Sequence, residues 1–155
     1  MAEKFLLALC FVLPFSVMAA GGGSDSSSSS SSSWTAESTY GKAKTMVDNG
    51  QFDAAIPVLF EAVREDGENA DAYNLLGFTH RKTGKLDAAL KYYNKALALE
   101  PWHRGAHEYI GEAYLELGDL ASAKKHLTFL DEDCTFGCPE YRMLKEAVAK
   151  YEARQ

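Results

Sequence analysis

The chain has 155 residues and a formal net charge of −6, with 16 basic residues against 22 acidic ones. This balance disfavours a sequence-independent nucleic-acid binder, which needs a basic face to displace counterions from phosphates. Apolar residues make up 46% and charged residues 25% of the sequence, which is typical of an ordinary globular domain. Three cysteines are too few for a scaffold held together by many disulfides.

Residues 1–20 have the three-part pattern of a secretory signal peptide. Lys4 and the α-amino group precede an apolar run from Phe5 to Ala20, which ends in small residues. The run is short for a membrane span, which needs about 20 apolar residues. The sequence therefore predicts export, cleavage of this segment and no stable membrane insertion afterwards. A retained anchor is the alternative.

Residues 21–35 form a Gly- and Ser-rich stretch. The serines from Ser24 to Ser33, interrupted by Asp25, include no apolar residue to bury. Such a segment cannot repay its ordering entropy, which predicts a disordered linker. A glycosylated or partner-binding stalk is the alternative. About 120 residues remain, which is enough for one compact domain and too few for two.

The remaining sequence repeats itself with a period of about 34 residues. This period joins three sets: Gly50, Gly84 and Gly118; Ala55, Ala89 and Ala123; Phe52, Leu86 and Leu120. Each glycine stands between two helical patterns, where a left-handed residue ends one helix and reverses the chain. Small residues inside the helices permit close contact between the two helices of a pair. Gly77 and Gly111, which are also one period apart, are predicted to do this in the first helix of their pairs.

The second copy resembles the tetratricopeptide repeat. It carries the characteristic residues in order: Tyr73, Leu76, Gly77, His80, Ala89, Tyr93, Ala96 and Pro101. The third copy carries most of this pattern, with Thr135 where proline is usual, and the first copy is the most degenerate. The resemblance implies three repeats followed by a C-terminal capping helix, at residues 36–69, 70–103, 104–137 and 138–155.

The predicted fold is therefore all-α, an α-solenoid of three helix–turn–helix repeats closed by the capping helix. We expect helices at residues 36–49, 52–66, 70–83, 86–100, 104–117, 120–132 and 139–153. Pro57 falls inside the second helix and predicts a local irregularity rather than a break. The last helix shows apolar residues at three- and four-residue spacing: Tyr141, Leu144, Val148 and Tyr151.

In the tetratricopeptide family, the first helix of each repeat lines a concave groove. Carrying these positions over gives the candidate partner-binding residues Tyr40, Lys44, Asn74, Phe78, Arg81, Glu108, Tyr109, Glu112 and Glu116. They include aromatic groups that packing does not require, a basic spot at Arg81 and Lys82, and a stripe of glutamates on one helix face. This surface predicts a protein or peptide partner of mixed charge. A merely solvated charged face is the alternative.

Some relatives clamp a peptide carboxylate with Lys and Asn at two of these groove positions. Here the equivalent residues are Tyr40 and Lys44 in the first repeat, then Asn74 and Phe78 in the second. The clamp pattern is therefore absent.

Cys134 and Cys138 lie between the sixth and seventh predicted helices. The favoured interpretation is a disulfide that joins the third repeat to the capping helix. A second is a copper site, since two thiolates suit Cu(I) and the Cys-x3-Cys-Pro spacing resembles the copper loop of the Sco family. That loop belongs to a thioredoxin-like fold, so the likeness is limited to the residue pattern. A thiol redox pair is the third interpretation.

The histidines and acids form no recognisable catalytic arrangement. His103 and His107 are four residues apart and could face one metal, but His107 and His80 fall at helix-packing positions, so packing is favoured. His126, beside Lys124 and Lys125, is predicted on an outer face. No phosphate loop or nucleophile motif is present. The sequence predicts no catalytic residues, no metal and no cofactor.

The predicted function is a non-catalytic protein–protein interaction module, an exported adaptor or assembly factor. The alternative is a copper or thiol-redox accessory protein that acts through Cys134 and Cys138. The phrase from Gly105 to Glu112, together with Cys-x3-Cys after it, resembles small exported bacterial tetratricopeptide proteins. This resemblance implies the periplasm of a Gram-negative bacterium. The partner and the oligomeric state do not follow from a fold this versatile.

Overall fold

The computed structural model describes residues 38–135 and 137–155. The predicted signal peptide, the linker and the start of the first predicted helix lie outside the described residues. The described residues form seven α-helices and no strand: α1 (Thr39–Asp48), α2 (Phe52–Glu65), α3 (Ala70–Lys82), α4 (Leu86–Leu99), α5 (Arg104–Glu116), α6 (Leu120–Asp133) and α7 (Pro139–Glu152). The predicted all-α solenoid is confirmed. None of these seven helices is long and apolar enough to cross a membrane.

Each helix pair is closed by a glycine in the left-handed conformation. Gly50, Gly84 and Gly118 have φ angles of 74°, 77° and 82°, which residues with a Cβ rarely adopt. At the second turn, the Lys85 N–H donates to the carbonyl of His80 at 2.8 Å, which satisfies one of the free carbonyls at the end of α3. The repeated glycine therefore gives all three pairs the same reversal.

The second helices lie close against the first because their facing residues are small. Ala55, Ala89 and Ala123 are all fully buried. In the second repeat, Tyr93 of α4 packs directly over Gly77 of α3, where any Cβ would overlap the tyrosine ring. Helix α2 runs without interruption through Pro57, as the sequence predicts.

Helix α7 packs against both α5 and α6, and it continues the register of the first helices. Leu76, Ile110 and Leu144 follow one another at the repeat period, and their exposed fractions are 0%, 1% and 0%. A Cβ added to Gly111 would lie 2.5 Å from Leu144. The sequence predicts that Gly111 allows α6, the second helix of its own repeat, to pack closely against it. This expectation is wrong, because Leu144 of α7 occupies the space beside Gly111. Helix α7 takes the place of the first helix of a fourth repeat.

The turn between α6 and α7 is closed by the predicted disulfide. The sulfur atoms of Cys134 and Cys138 are 2.09 Å apart. Cys134 ends α6, and Cys138 immediately precedes Pro139, the first residue of α7. The disulfide thus ties the third repeat to the helix that covers it.

Candidate peptide-binding groove

Helices α1, α3, α5 and α7 share one face of the solenoid, which we call the groove. Asn74, Phe78 and Arg81 follow one another on one face of α3 at helical spacing, and Glu108, Glu112 and Glu116 do the same on α5. A cavity of about 480 Å³ opens between α3, α5 and α7. Of these groove positions, Arg81, Glu112 and Glu116 line the cavity, whereas Asn74, Phe78 and Glu108 are not among its lining residues.

Arg81 is not the free basic spot that the sequence predicts. Its exposed fraction is 8%, and its guanidinium nitrogens lie 2.5 Å from a carboxylate oxygen of Glu112 and 2.7 Å from one of Glu116. The two glutamates are one helical turn apart, so a single arginine from α3 reaches both. Arg81 is a buried bridge between two repeats. The alternative of a solvated charged face is wrong at this position.

Phe78 and Tyr109 also serve the packing, contrary to the sequence-based expectation. Both are partly buried against the core clusters, and their ring centres are 4.9 Å apart. The Arg81 guanidinium lies 5.7 Å and 5.6 Å from the same two ring centres. The two rings therefore pack against each other across the contact between the second and third repeats, and neither lines the cavity.

The α1 side of the groove stays accessible. Tyr40 is half-buried, and burial together with Asp71 and Asp48 raises the pKa of its hydroxyl to about 12. The hydroxyl therefore stays protonated and can donate a hydrogen bond. Lys44 has a side chain 53% exposed, with its Nζ 2.7 Å from an oxygen of Asp48.

Glu108 and Asn74 are polar groups buried without partners. Glu108 is 3% exposed and forms no hydrogen bond or ion pair with any described residue. Burial, with Glu112 and Glu140 nearby, raises the pKa of Glu108 to about 8. Asn74 is 8% exposed, and its Oδ1 has no hydrogen-bond partner among the described residues. The sequence places both residues in the groove but does not reveal this burial.

Three more cations lie at the other end of the groove, and of these the sequence predicted Lys82 alone. Lys82, Lys150 and Arg154 line the cavity together with Arg81, Glu112 and Glu116. Arg81 already holds both glutamates, and the Nζ of Lys150 lies 2.6 Å from an oxygen of Glu146. Lys82 and Arg154 are thus the cations of this lining without an ion pair among the described residues. Lys82, Glu116 and Lys150 are successive residues at the repeat period. Extending the repeat register into α7 would therefore have found Lys150.

The histidines are engaged separately rather than around one metal. His103 caps α5 by accepting the Ala106 N–H at 3.1 Å, and its Nε2 lies 3.1 Å from Asp71. His107 places Nε2 3.0 Å from the Pro101 carbonyl. His80 and His107 are both 7% exposed, which confirms the packing role predicted for them.

The outer-face position predicted for His126 is wrong. Its Nδ1 lies 3.0 Å from Nδ1 of His107, and its ring stacks near Tyr114. The reason is that residues 123, 126, 127 and 130 form the side of α6 that faces α5. Burial, followed by the nearby His107, lowers the pKa of His126 to about 4, so its ring is neutral at pH 7.

The thiolates that a Cu(I) site needs are absent from this structure because both sulfurs are used in the disulfide. Within residues 38–135 and 137–155, no three side chains of His, Cys, Asp or Glu are grouped to hold a metal ion.

Sequence comparison identifies one repeat and one relative. Residues 70–103 match the tetratricopeptide repeat. Over 55 residues the chain is 40% identical to an uncharacterized protein, ycf37, of Guillardia theta; the match covers 36% of this chain and 31% of that protein. The match thus spans about a third of that relative's length.

Two solved structures share the fold. The type III secretion chaperone SycD of Yersinia enterocolitica, in complex with a peptide of the translocator YopD, is 22% identical, with a TM-score of 0.64 over 74% of this chain and 88% of that one. The second repeat domain of human RPAP3, in complex with the HSP70 peptide SGPTIEEVD, is 22% identical, with a TM-score of 0.63 over 74% of this chain and 92% of that one. The fold is that of a tetratricopeptide-repeat solenoid.

Proposed function

We propose that this protein is a non-catalytic interaction module that holds a peptide or protein segment of its partner in the groove. The observation that carries the proposal is the cavity of about 480 Å³ between α3, α5 and α7. Its lining combines charged side chains with the apolar side chains of Leu115 and Ala147. Sites that take a side chain from an extended segment have this mixed character.

The two structural relatives support peptide binding on this fold, since each was solved with a peptide. The chemistry of the groove differs from what the acidic end of the HSP70 peptide would need. The carboxylate-clamp pattern is absent, and the cavity is lined by Glu112 and Glu116 as well as by Lys82, Lys150 and Arg154. We therefore propose an internal partner segment of mixed charge rather than an acidic chain terminus.

We further propose that the protein is exported and works as an adaptor or assembly factor in the periplasm of a Gram-negative bacterium. The predicted signal peptide at residues 1–20 supports export. The Cys134–Cys138 disulfide supports an oxidising compartment, because cytosolic thiols are kept reduced.

The test is crosslinking of the full chain in its native host, followed by mass spectrometry of what it captures. The affinity tag belongs in the serine-rich stretch, since Gln155 lines the cavity. The groove variant carries Lys150→Glu with Arg154→Glu. The matched control carries Lys91→Glu with Lys125→Glu, which makes the same charge change at exposed positions of α4 and α6.

We expect the parent and the control to capture the same protein and the groove variant to lose most of it. A partner captured equally by all three proteins would overturn the groove proposal. So would the absence of any specific partner of the parent. The triple variant Tyr40→Ala, Phe78→Ala and Arg81→Glu is a poorer test, because Phe78 and Arg81 are packed residues whose loss would perturb the fold.

A further inference from the structure

The cavity between α3, α5 and α7 is lined by two cations that have no carboxylate partner. Lys82 is the last residue of α3, and Arg154 lies two residues past the end of α7. Neither forms an ion pair with any residue that the structure describes. The Nζ of Lys82 lies 5.1 Å from the ring centre of Phe78, which attracts the ammonium group but offers it no oxygen acceptor. Both cations can therefore accept a carboxylate from outside the chain.

The other charged groups of the lining already have partners within the chain. Glu112 and Glu116 share Arg81, whose side chain is only 6% exposed. The Nζ of Lys150 lies 2.6 Å from an oxygen of Glu146, so an arriving carboxylate would have to displace that glutamate. The selectivity of the cavity for charge therefore depends mainly on the two unpaired cations.

The cavity also has an apolar floor, formed by Leu115 of α5 and Ala147 of α7. Leu115 is 9% exposed and Ala147 is half-buried, and both belong to the packed cluster around Leu144. Apolar surface gains when another apolar group covers it and removes water from it. The volume of about 480 Å³ gives room for a side chain on this floor, which favours an apolar one.

The order of the helices places this floor between the two cations. Helix α5 contacts both α3 and α7, which share no contact with each other along their described lengths. Axes of packed helices lie about 8–10 Å apart, and an extended chain advances about 3.3 Å per residue. A segment that crosses the cavity therefore passes from one helix to the next in about three residues.

We propose that the cavity recognises an internal segment with an apolar side chain and an acidic side chain about three residues to each side of it. The apolar side chain covers Leu115 and Ala147, one carboxylate pairs with Lys82 and the other with Arg154. This inference rests on the proposed function and specifies which segment of mixed charge the cavity selects. The guanidinium of Arg154 can hold a carboxylate through two parallel N–H donors, whereas Lys82 acts as a point charge.

The first experiment is selection of random twelve-residue peptides on the purified full chain, with both peptide ends fused so that no free chain terminus is offered. Parallel selections use Lys82→Glu, Arg154→Glu and the control Lys91→Glu with Lys125→Glu, which changes exposed positions outside the cavity. We expect the parent and the control to enrich the acidic, apolar, acidic pattern. Lys82→Glu should replace one of the two acids by lysine or arginine, and Arg154→Glu should replace the other. Circular dichroism checks that all variants are folded.

The second experiment measures the affinity of the best peptide in a double-mutant cycle. One change is Lys82→Met, which keeps the aliphatic stem of the side chain, and the other replaces the partner glutamate of the peptide by glutamine. We expect each change to weaken binding by up to about fivefold. Both together should weaken it no further, because they remove the same ion pair. Lys91→Met is the control and should leave the affinity unchanged, and added salt should reduce the effect of Lys82→Met.

The outcomes separate this inference from the proposed function. Selected peptides without fixed acids, acids that persist in Lys82→Glu and Arg154→Glu, or losses that simply add in the cycle would overturn the inference. So would a parent that selects no peptide. The proposed function is decided separately, by capture in the native host with Lys150→Glu and Arg154→Glu. Both proposals fail together only when the parent selects no peptide and captures no partner.

Discussion

Gly77 and Gly111 occupy equivalent positions in successive repeats, yet different parts of the chain fill the space beside them. Gly77 receives the ring of Tyr93, which comes from the second helix of the same repeat. Gly111 receives Leu144, which comes from α7. At the position equivalent to Tyr93, the third repeat has the smaller Leu127. In the second repeat, a side chain of the same repeat fills the space beside the glycine. In the third repeat, a side chain of the following helix, α7, fills it.

This difference affects the groove. The cavity lies where α3, α5 and α7 meet, so one of its walls depends on the docking of α7. That docking rests on Leu144 and Val148, which are 0% and 5% exposed, and on the disulfide that begins the helix. The second repeat supplies one wall of the cavity from within its own helix pair, and α7 supplies another.

The largest expected effect comes from Gly77→Val, which would force methyl groups into the Tyr93 ring. We expect a loss of at least about 3 kcal/mol in the free energy of unfolding. Gly111→Val should overpack the contact with Leu144 and destabilise less, because α7 can move away. Urea denaturation followed by circular dichroism measures both variants. Equal losses would contradict the difference between the two repeats, and parent-like melting of Gly111→Val would contradict the repeat register.

The next largest effect should come from Arg81→Met, which removes the bridge between the second and third repeats. Glu112 and Glu116 would lose their shared partner in a partly buried site. We expect a loss of about 2–3 kcal/mol. Arg64→Met is the control, since that arginine is 75% exposed and should contribute less than about 0.5 kcal/mol. Similar losses of stability in both variants would show that the ion pairs of Arg81 add nothing to the contact between the second and third repeats.

Removing the disulfide tests how firmly α7 is attached. Replacing both cysteines, Cys134→Ser with Cys138→Ser, opens a ring of five residues. The chain-entropy estimate for so short a ring is about 2 kcal/mol. We expect this loss in thermal unfolding, while partner capture is retained because the buried side chains of Leu144 and Val148 still hold α7 in place. Abolished capture by a variant that is still folded would favour the copper or thiol-redox function instead.

The smallest effect should come from Glu108→Gln, and it should depend on pH. The pKa of Glu108 is raised to about 8 in the folded protein, so the folded state binds the proton more tightly than the unfolded state does. Stability is therefore greatest below the unfolded pKa and falls as pH rises towards 8. We expect the parent to lose at least about 1 kcal/mol, or roughly 4 °C in Tm, between pH 5 and pH 8. Glu108→Gln should show a flatter profile, and identical profiles would contradict the buried acid.

The sequence predicted much of the fold because the signals for it are local. Every repeat has a glycine where the backbone must adopt a positive φ. Every repeat also has an alanine where a neighbouring helix packs closely. Because both residue types recur at a fixed spacing, their structural roles can be recognised in the sequence. The site was predicted less well. Phe78 and Arg81 were placed correctly on the groove face but assigned to the partner, although the neighbouring repeat uses them.

The sequence by itself determined the repeat, its period, the all-α solenoid and the cysteine pair that closes the last turn. Only the tertiary structure decided that α7 acts as a fourth groove helix, that Arg81 is already paired and that Glu108 is buried without a partner. The physical reason is that burial and ion pairing in a solenoid depend on which side chains the adjacent repeat presents. Helical periodicity names the face on which a residue lies but not what covers it.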